Sequence, residues 1–280
     1  MQIILNADDF GRSTPINLAI MKAHREGVLT SASLMVTGEA VEEAIALARE
    51  SPSLAVGLHL TVTEGRAVLP PNQIPHLVDA HGRFPRSASW AGLRYALSRT
   101  LQRELIGEIT AQFERFAAIG LPLSHVDGHH HMHIHPSLFT TVLHLAEQFG
   151  ACGFRLPRDD LWLSVRHSRR QLGMKIAWAL IFAILCHQHL RTLRRHRLVV
   201  THRTYGLLQS GQMEESYVVR VLRKLSVPTA ELYFHPTVGP DSEPLGPNPG
   251  DLATLLSPAV RQVIEERSLR LATYPALQEA

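Results

Sequence analysis

Ile3-Ile4-Leu5-Asn6-Ala7-Asp8-Asp9-Phe10-Gly11-Arg12 begins as a buried strand and runs straight into two acids. An open doubly wound sheet would place a glycine-rich phosphate loop at this first turn, and the turn is acidic instead. Three further apolar runs end in the same way: Val56-Gly57-Leu58-His59, Ser124-His125-Val126-Asp127-Gly128-His129 and Leu232-Tyr233-Phe234-His235. Carboxylates and imidazoles are costly in such runs unless they are paired or bound to metal.

Outward from these runs, the pattern predicts strands over 3–5, 31–37, 54–60, 121–126, 151–156, 198–201, 230–234 and 269–273. Helices are predicted between them. Thr14 caps one with Pro15 at its first position, 41–49 forms another, and Leu101, Leu105, Ile109, Phe113 and Phe116 make the apolar stripe of a third. Pro136 opens a fourth that runs to Gln148. Alternation of this kind favours a parallel sheet. Polar residues cluster after the first, third, fourth and seventh strands, so the expectation is a (β/α) barrel, seven-stranded or irregular, with one shared rim. The open doubly wound sheet is the runner-up. Residues 63–89, with Pro70, Pro71, Pro75 and Pro85, read as a long loop over that rim.

At 280 residues, 45% hydrophobic and 19% charged, the chain reads as one globular domain over 1–280 with an insertion at about 161–197. A net charge of +3 is too small to argue for nucleic acid. Cys152 and Cys186 are too few for a disulfide framework and read as reduced core thiols. A strand pattern with acids at the N-terminus differs from a signal peptide and places the protein in the cytoplasm. The 17 histidines are the compositional outlier, with six of them between His125 and His135.

In the insertion, 176–186 is an unbroken apolar run that includes Trp178 and Phe182, shorter than the roughly 20 residues of a membrane span. Arg166, Arg169, Arg170 and Lys175 precede it, and Arg191, Arg194, Arg195 and Arg197 follow. Two readings stand. Either the run inserts into an anionic membrane surface, or it is a buried helix with a solvated basic end.

The adjacent Asp8 and Asp9 face opposite ways on an extended strand and can divide labour. One ligates a cation while the other takes a proton from water; an Asx turn with a capping acid is the alternative. A dense histidine tract is a metal-binding composition. His129, nearest the rim, is its best ligand candidate, with His125 and Asp127 orienting imidazole rings, while His133 and His135 run toward the next helix. Arg155 pairs with a site carboxylate, or else serves the surface or caps a helix. His235 is a proton donor, or a strand-end histidine held by Glu231.

Asn6-Ala7-Asp8-Asp9-Phe10-Gly11, Gly57-Leu58-His59-Leu60, 125–133 and Glu231-Leu232-Tyr233-Phe234-His235-Pro236 resemble the four signature blocks of the YdjC-like carbohydrate deacetylases, in the family order. The resemblance implies a barrel-type deacetylase fold and hydrolysis of the N-acetyl group of an amino sugar. It also implies a divalent cation, magnesium or zinc, on Asp9, His59 and His129, with Asp8 as general base and His235 assisting the tetrahedral intermediate or the leaving amine. An amide carbonyl is a poor electrophile, and three protein ligands leave positions open for it and for water. His235 can then protonate the amine from the side opposite Asp8. The insertion resembles that of the hopanoid-biosynthesis-associated branch, which implies an N-acetylglucosaminyl-hopanoid lipid as substrate. A soluble chito-oligosaccharide or diacetylchitobiose is the second substrate reading. A metal- or sugar-binding module without turnover is the rival from another class; a spare base at Asp8 argues against it.

Overall fold

The computed structural model describes residues 1–239 and 245–279. Its strands are β1 (Gln2–Phe10), β2 (Ser31–Leu34), β3 (Ala55–Leu60), β4 (His125–Gly128), β5 (Gly153–Phe154), β6 (Arg203–Tyr205), β7 (Thr229–Phe234) and β8 (Arg270–Leu271). They form one sheet in the order β5-β4-β3-β2-β1-β7-β6, with β8 also on β1, and every pairing is parallel. β1 is central and buried on both faces, which its unbroken apolar run requires. Beyond β5, Phe154 donates its N–H to Val199 O at 2.9 Å and Val199 donates to Cys152 O at 2.8 Å. The sheet is curled, a half-barrel in an α/β fold, and its parallel strands deliver their C-termini to one rim.

The helices are α1 (Thr14–Glu26), α2 (Val41–Arg49), α3 (Ala88–Leu97), α4 (Arg99–Ile119), α5 (Phe139–Gln148), α6 (Leu161–His167), α7 (Leu172–Leu193), α8 (Glu215–Lys224), α9 (Pro249–Leu255), α10 (Pro258–Glu266) and α11 (Tyr274–Gln278). Ser13, one residue earlier than expected, is the N-cap position of α1. Ser98 caps α4 through its side chain, and Gly120 ends it in the left-handed conformation at φ 78°. Along α4, Leu101, Leu105, Ile109, Phe113 and Phe116 are buried, the stripe expected from their spacing.

Several boundaries differ. The predicted strand at 198–201 is a single bridge at Val199, after which the chain turns and β6 forms beside β7. The loop at 63–89 is pinned by Glu108, whose buried carboxylate accepts the N–H groups of Val68 and Leu69, and it gives way to α3 at Ala88. The insertion contains two helices, and α7 extends to 22 residues, twice its apolar core. Lys175, Cys186, His189 and Leu193 turn one face of α7 inward, where His189 Nε2 meets Ile134 O at 2.9 Å. Leu180 and Ile184 point outward, 61% and 59% exposed. The buried-helix reading therefore fails for that face. Cys186 is buried and Cys152 half-buried, and both are free.

Candidate active site

β1 ends in a bulge. Its pairing with β2 slips between Ala7 and Phe10, and Asp9 adopts the left-handed region at φ 65°. Strand alternation is broken there, so Asp8 and Asp9 reach one buried region instead of opposite faces. Asp9 Oδ1 lies 3.2 Å from Nδ1 of His129 and 3.5 Å from Nε2 of His59, and Oδ2 accepts from Arg12 at 3.0 Å. Burial opposes ionisation of Asp9, but His129, Arg12 and His59 hold the carboxyl well below the usual carboxylate range. His59, at the end of β3, uses Nδ1 to meet Asp127 Oδ1 at 2.8 Å, which turns Nε2 toward Asp9. Burial again disfavours charge on His59, yet Asp127, Asp8 and Asp9 lift its pKa to about 9. The site favours a positive charge at this position.

Arg155, fully buried just after β5, braces the floor. Its guanidinium grips both oxygens of Asp8 at 2.7 and 2.8 Å, Asp127 at 2.8 Å, and Glu231 at 2.8 and 3.0 Å. Asn6 donates to Asp8 Oδ1 at 2.9 Å, Ser33 to Asp127 Oδ2 at 2.7 Å, and Tyr274 to Glu231 at 2.7 Å. Buried charges persist only when matched in this way. Among the described residues, four carboxylates (Asp8, Asp9, Asp127 and Glu231) contact the guanidinium groups of Arg155 and Arg12.

The histidine tract disperses by short steps. His129 faces Asp9, His130 Nε2 meets Glu64 at 2.9 Å, His131 Nε2 meets Tyr233 Oη at 2.9 Å, and His133 Nε2 meets Arg155 O at 2.9 Å. His130 and His131 hold φ of 52° and 56°, a local strain that brings both His129 and His131 to one cavity. His125 is a support. Its Nε2 is 3.0 Å from Ser33 Oγ, its ring stacks on Tyr274, and a Cβ on Gly57 would lie 2.4 Å from that ring. Gly57 is thus required by the close approach of His125.

His235 follows β7, with Nε2 3.9 Å from Asp8 Oδ2. Expected to face Asp8 across the substrate, it sits beside it. Glu231 bonds Arg155 and Tyr274, and the His235 backbone N–H is held by Asp251 at 2.8 Å, so the Glu231-held alternative for His235 fails. Asp8, Asp9, His59, His129 and His235 share a cavity of about 430 Å³. Trp178 and Phe182 are half-buried and turn toward this cavity, which corrects the expectation that they insert outward.

The donor set fits a cation. Asp9 Oδ1 is buried without a hydrogen bond of proper geometry, although two imidazole nitrogens approach it. Donors each about 2.0–2.2 Å from one tetrahedral centre lie roughly 3.3–3.6 Å apart, close to the separations seen here. Asp9, His59 and His129 together form a group able to hold a metal.

Ser33, Asn6, Tyr233 and Glu64 take part in this network without having been singled out from the sequence. Asn6 and Tyr233 stand inside apolar runs, where an unmatched polar group is itself a signal. Glu64 lies in the long loop and carried none.

The sequence profile of the YdjC-like proteins matches residues 2–266. The chain belongs to this family. It is 35% identical over 283 residues to the carbohydrate deacetylase of Brevibacillus brevis, covering 99% of this chain and 100% of that one. A chitooligosaccharide deacetylase of Serratia marcescens is 34% identical over 174 residues, covering 62% and 64% of the two chains. The crystal structure of an Enterococcus faecalis V583 protein described as a cellobiose-phosphate cleavage protein superposes with a TM-score of 0.78 at 26% identity. It covers 99% of this chain and 98% of that one.

Proposed function

We propose that this YdjC-like protein is a metal-dependent carbohydrate N-deacetylase, one catalytic unit over 1–280 with its insertion at 161–197. The observation that carries the reading is the pairing, in one cavity, of a three-donor set with a braced carboxylate and a second imidazole. A binding module has use for the donor set alone; Asp8, gripped by Arg155 and neighboured by His235, is the surplus that a reaction requires. The bridge at Val199 supports an irregular (β/α) barrel as the scaffold.

The chemistry that a divalent cation, magnesium or zinc, supplies when held by Asp9, His59 and His129 is polarisation of the acetyl carbonyl and acidification of water. Asp8 takes the proton of the attacking water as the new carbon–oxygen bond forms. His235 Nε2 delivers a proton to the amide nitrogen as the carbon–nitrogen bond breaks, releasing acetate and the free amine. Asp127 fixes the tautomer of His59, and Arg155 fixes the plane of Asp8.

For the substrate we favour an N-acetylglucosaminyl group on a lipid of the hopanoid kind, because Trp178, Ile181 and Phe182 give the cavity one apolar wall. A soluble chito-oligosaccharide is the second reading, favoured by the name of the Serratia relative. Acetate release from both kinds of conjugate, with magnesium or zinc and again after chelation, tests the proposal. Metal-dependent release is expected. No release from either conjugate with either metal would return the protein to the binding-module class.

A further inference from the structure

The mouth of the cavity has a composition of its own. Residues 80–103 and 161–213 contain no Asp or Glu, while they hold five arginines in the first stretch and eight arginines and a lysine in the second. These stretches supply α3 and α7, which both pack against the 3-10 turn His129–Ile134 that carries the donor His129. Each helix lines the cavity with one edge, Ser89 from α3 and Phe182 from α7. Each also carries bare apolar side chains: Trp90 and Leu97 on α3 are 58% and 78% exposed, beside Leu180 and Ile184 on α7. Large apolar groups bare on two helices that line one cavity mark an interaction surface.

We propose that α3 and α7 dock on an anionic lipid bilayer, so that the cavity opens at the membrane surface. The occupant follows from charge. A second copy of the chain would bring arginine clusters against arginine clusters, whereas anionic headgroups complement them, with each basic residue near such a surface contributing about 1 kcal/mol. Arg166, Arg169 and Arg170 lie before α7, and Arg191, Arg194 and Arg195 lie at and past its C-terminal end, all exposed. This is the arrangement of a helix lying in the interface, basic at its ends and apolar along its bare face. Length and composition alone would let α7 span a membrane. Its inward contacts argue otherwise: Cys186 Sγ to Pro157 O at 3.7 Å, and His189 stacked on Phe139 with ring centroids 3.6 Å apart, bind α7 along the domain.

Docking on a bilayer does not depend on the reaction, and flotation reads it directly. The full chain is mixed with vesicles of phosphatidylcholine, with or without phosphatidylglycerol, and floated on a density gradient at low and high salt. Flotation with the anionic vesicles at low salt, weakened by salt and absent with phosphatidylcholine alone, is expected. Leu180→Ser/Ile184→Ser and Trp90→Ser/Leu97→Ser should each lower affinity for the anionic vesicles roughly tenfold. Thermal stability and turnover of a soluble chito-oligosaccharide should be unchanged, because these side chains are exposed and none lines the cavity. Failure of the intact protein to float at low salt, equal binding to neutral vesicles, or wild-type binding by both variants would overturn the proposal. So would a dimer in solution that Leu180→Ser/Ile184→Ser dissociates, which would assign the face to a second copy.

Discussion

The floor of the cavity and its mouth are built on opposite principles. On the floor, Arg155, Asp8, Asp127, Glu231 and His59 are each fixed by charged or hydrogen-bonded partners at under 3 Å. At the mouth, Leu180, Ile184, Trp90 and Leu97 stand bare. Fixed geometry is what bond-making chemistry needs, since a catalytic group acts through its position. Contact with an apolar body or a fluid surface needs area and charge, and tolerates exchange of one apolar residue for another. The difference predicts that single substitutions on the floor abolish turnover, while those at the mouth weaken surface binding and leave turnover of a soluble substrate unchanged.

The largest break is expected at the donor set. His59→Ala and His129→Ala should each lose bound metal and nearly all turnover, because one donor in three is removed. Asp8→Asn should retain metal, measured by elemental analysis, while turnover falls about 10²–10⁴-fold with the loss of the base. Wild-type turnover in Asp8→Asn would dissolve the distinction between a metal half and a proton-transfer half of the floor.

Next in size is Arg155→Ala, which strands three buried carboxylates. Removing one partner of a buried ionic network costs about 3–5 kcal/mol. Urea denaturation should show a loss of that order, with no comparable loss in Leu180→Ser. Equal destabilisation by the two changes would mean that the floor is not the more tightly determined region.

A smaller effect follows from pH. Burial depresses the pKa of His125 to about 4, and of His133 likewise to about 4. The unfolded chain titrates these groups near 6.5, so between about 6.5 and 4 it binds protons that the native protein does not. Stability should therefore fall as pH drops through that window, by about 1–2 kcal/mol for each histidine at pH 5, and be unaffected by them above 6.5. His59, with its raised value, acts only above 6.5 in the metal-free protein. Thermal melts at pH 7 and pH 5 measure the loss, and His125→Asn should flatten part of the slope.

The residues of the floor were legible because an acid or imidazole at the end of a buried run is costly without a partner. That argument flagged Asp8, Asp9, His59, Asp127, His129 and His235 as candidates one strand at a time, and the family resemblance divided the roles among them. The partners were less legible: Arg155 meets Asp8 across 147 positions, a distance at which no local pattern operates. Nor does spacing reveal the bulge at Asp9, which sends two adjacent acids to one place. α7 was legible in composition but misread in orientation. An eleven-residue apolar run has no periodicity to tell inward from outward, and only the contacts of Lys175, Cys186 and His189 fix the rotation that turns Phe182 to the cavity.

That rotation supplies the smallest and most discriminating prediction. Trp178 lines the cavity, and Leu180, two positions on, faces solvent, so one helix serves two contacts that can be separated. Trp178→Ser removes apolar contact from the wall of the cavity. Its partial burial sets the loss near 1 kcal/mol, about a fivefold rise in KM for a lipid-linked conjugate, while a short soluble chito-oligosaccharide that does not reach the wall keeps its KM. Vesicle binding should not change. Leu180→Ser/Ile184→Ser should do the reverse, lowering vesicle binding and leaving the KM of a detergent-dispersed lipid conjugate as it was. Should Trp178→Ser weaken vesicle binding as much as the Leu180 and Ile184 pair does, the helix would lie in the membrane through its cavity edge and the wall would not belong to the substrate. Should it raise KM equally for both conjugates, the wall would touch the sugar itself, and the apolar lining would no longer argue for a lipid.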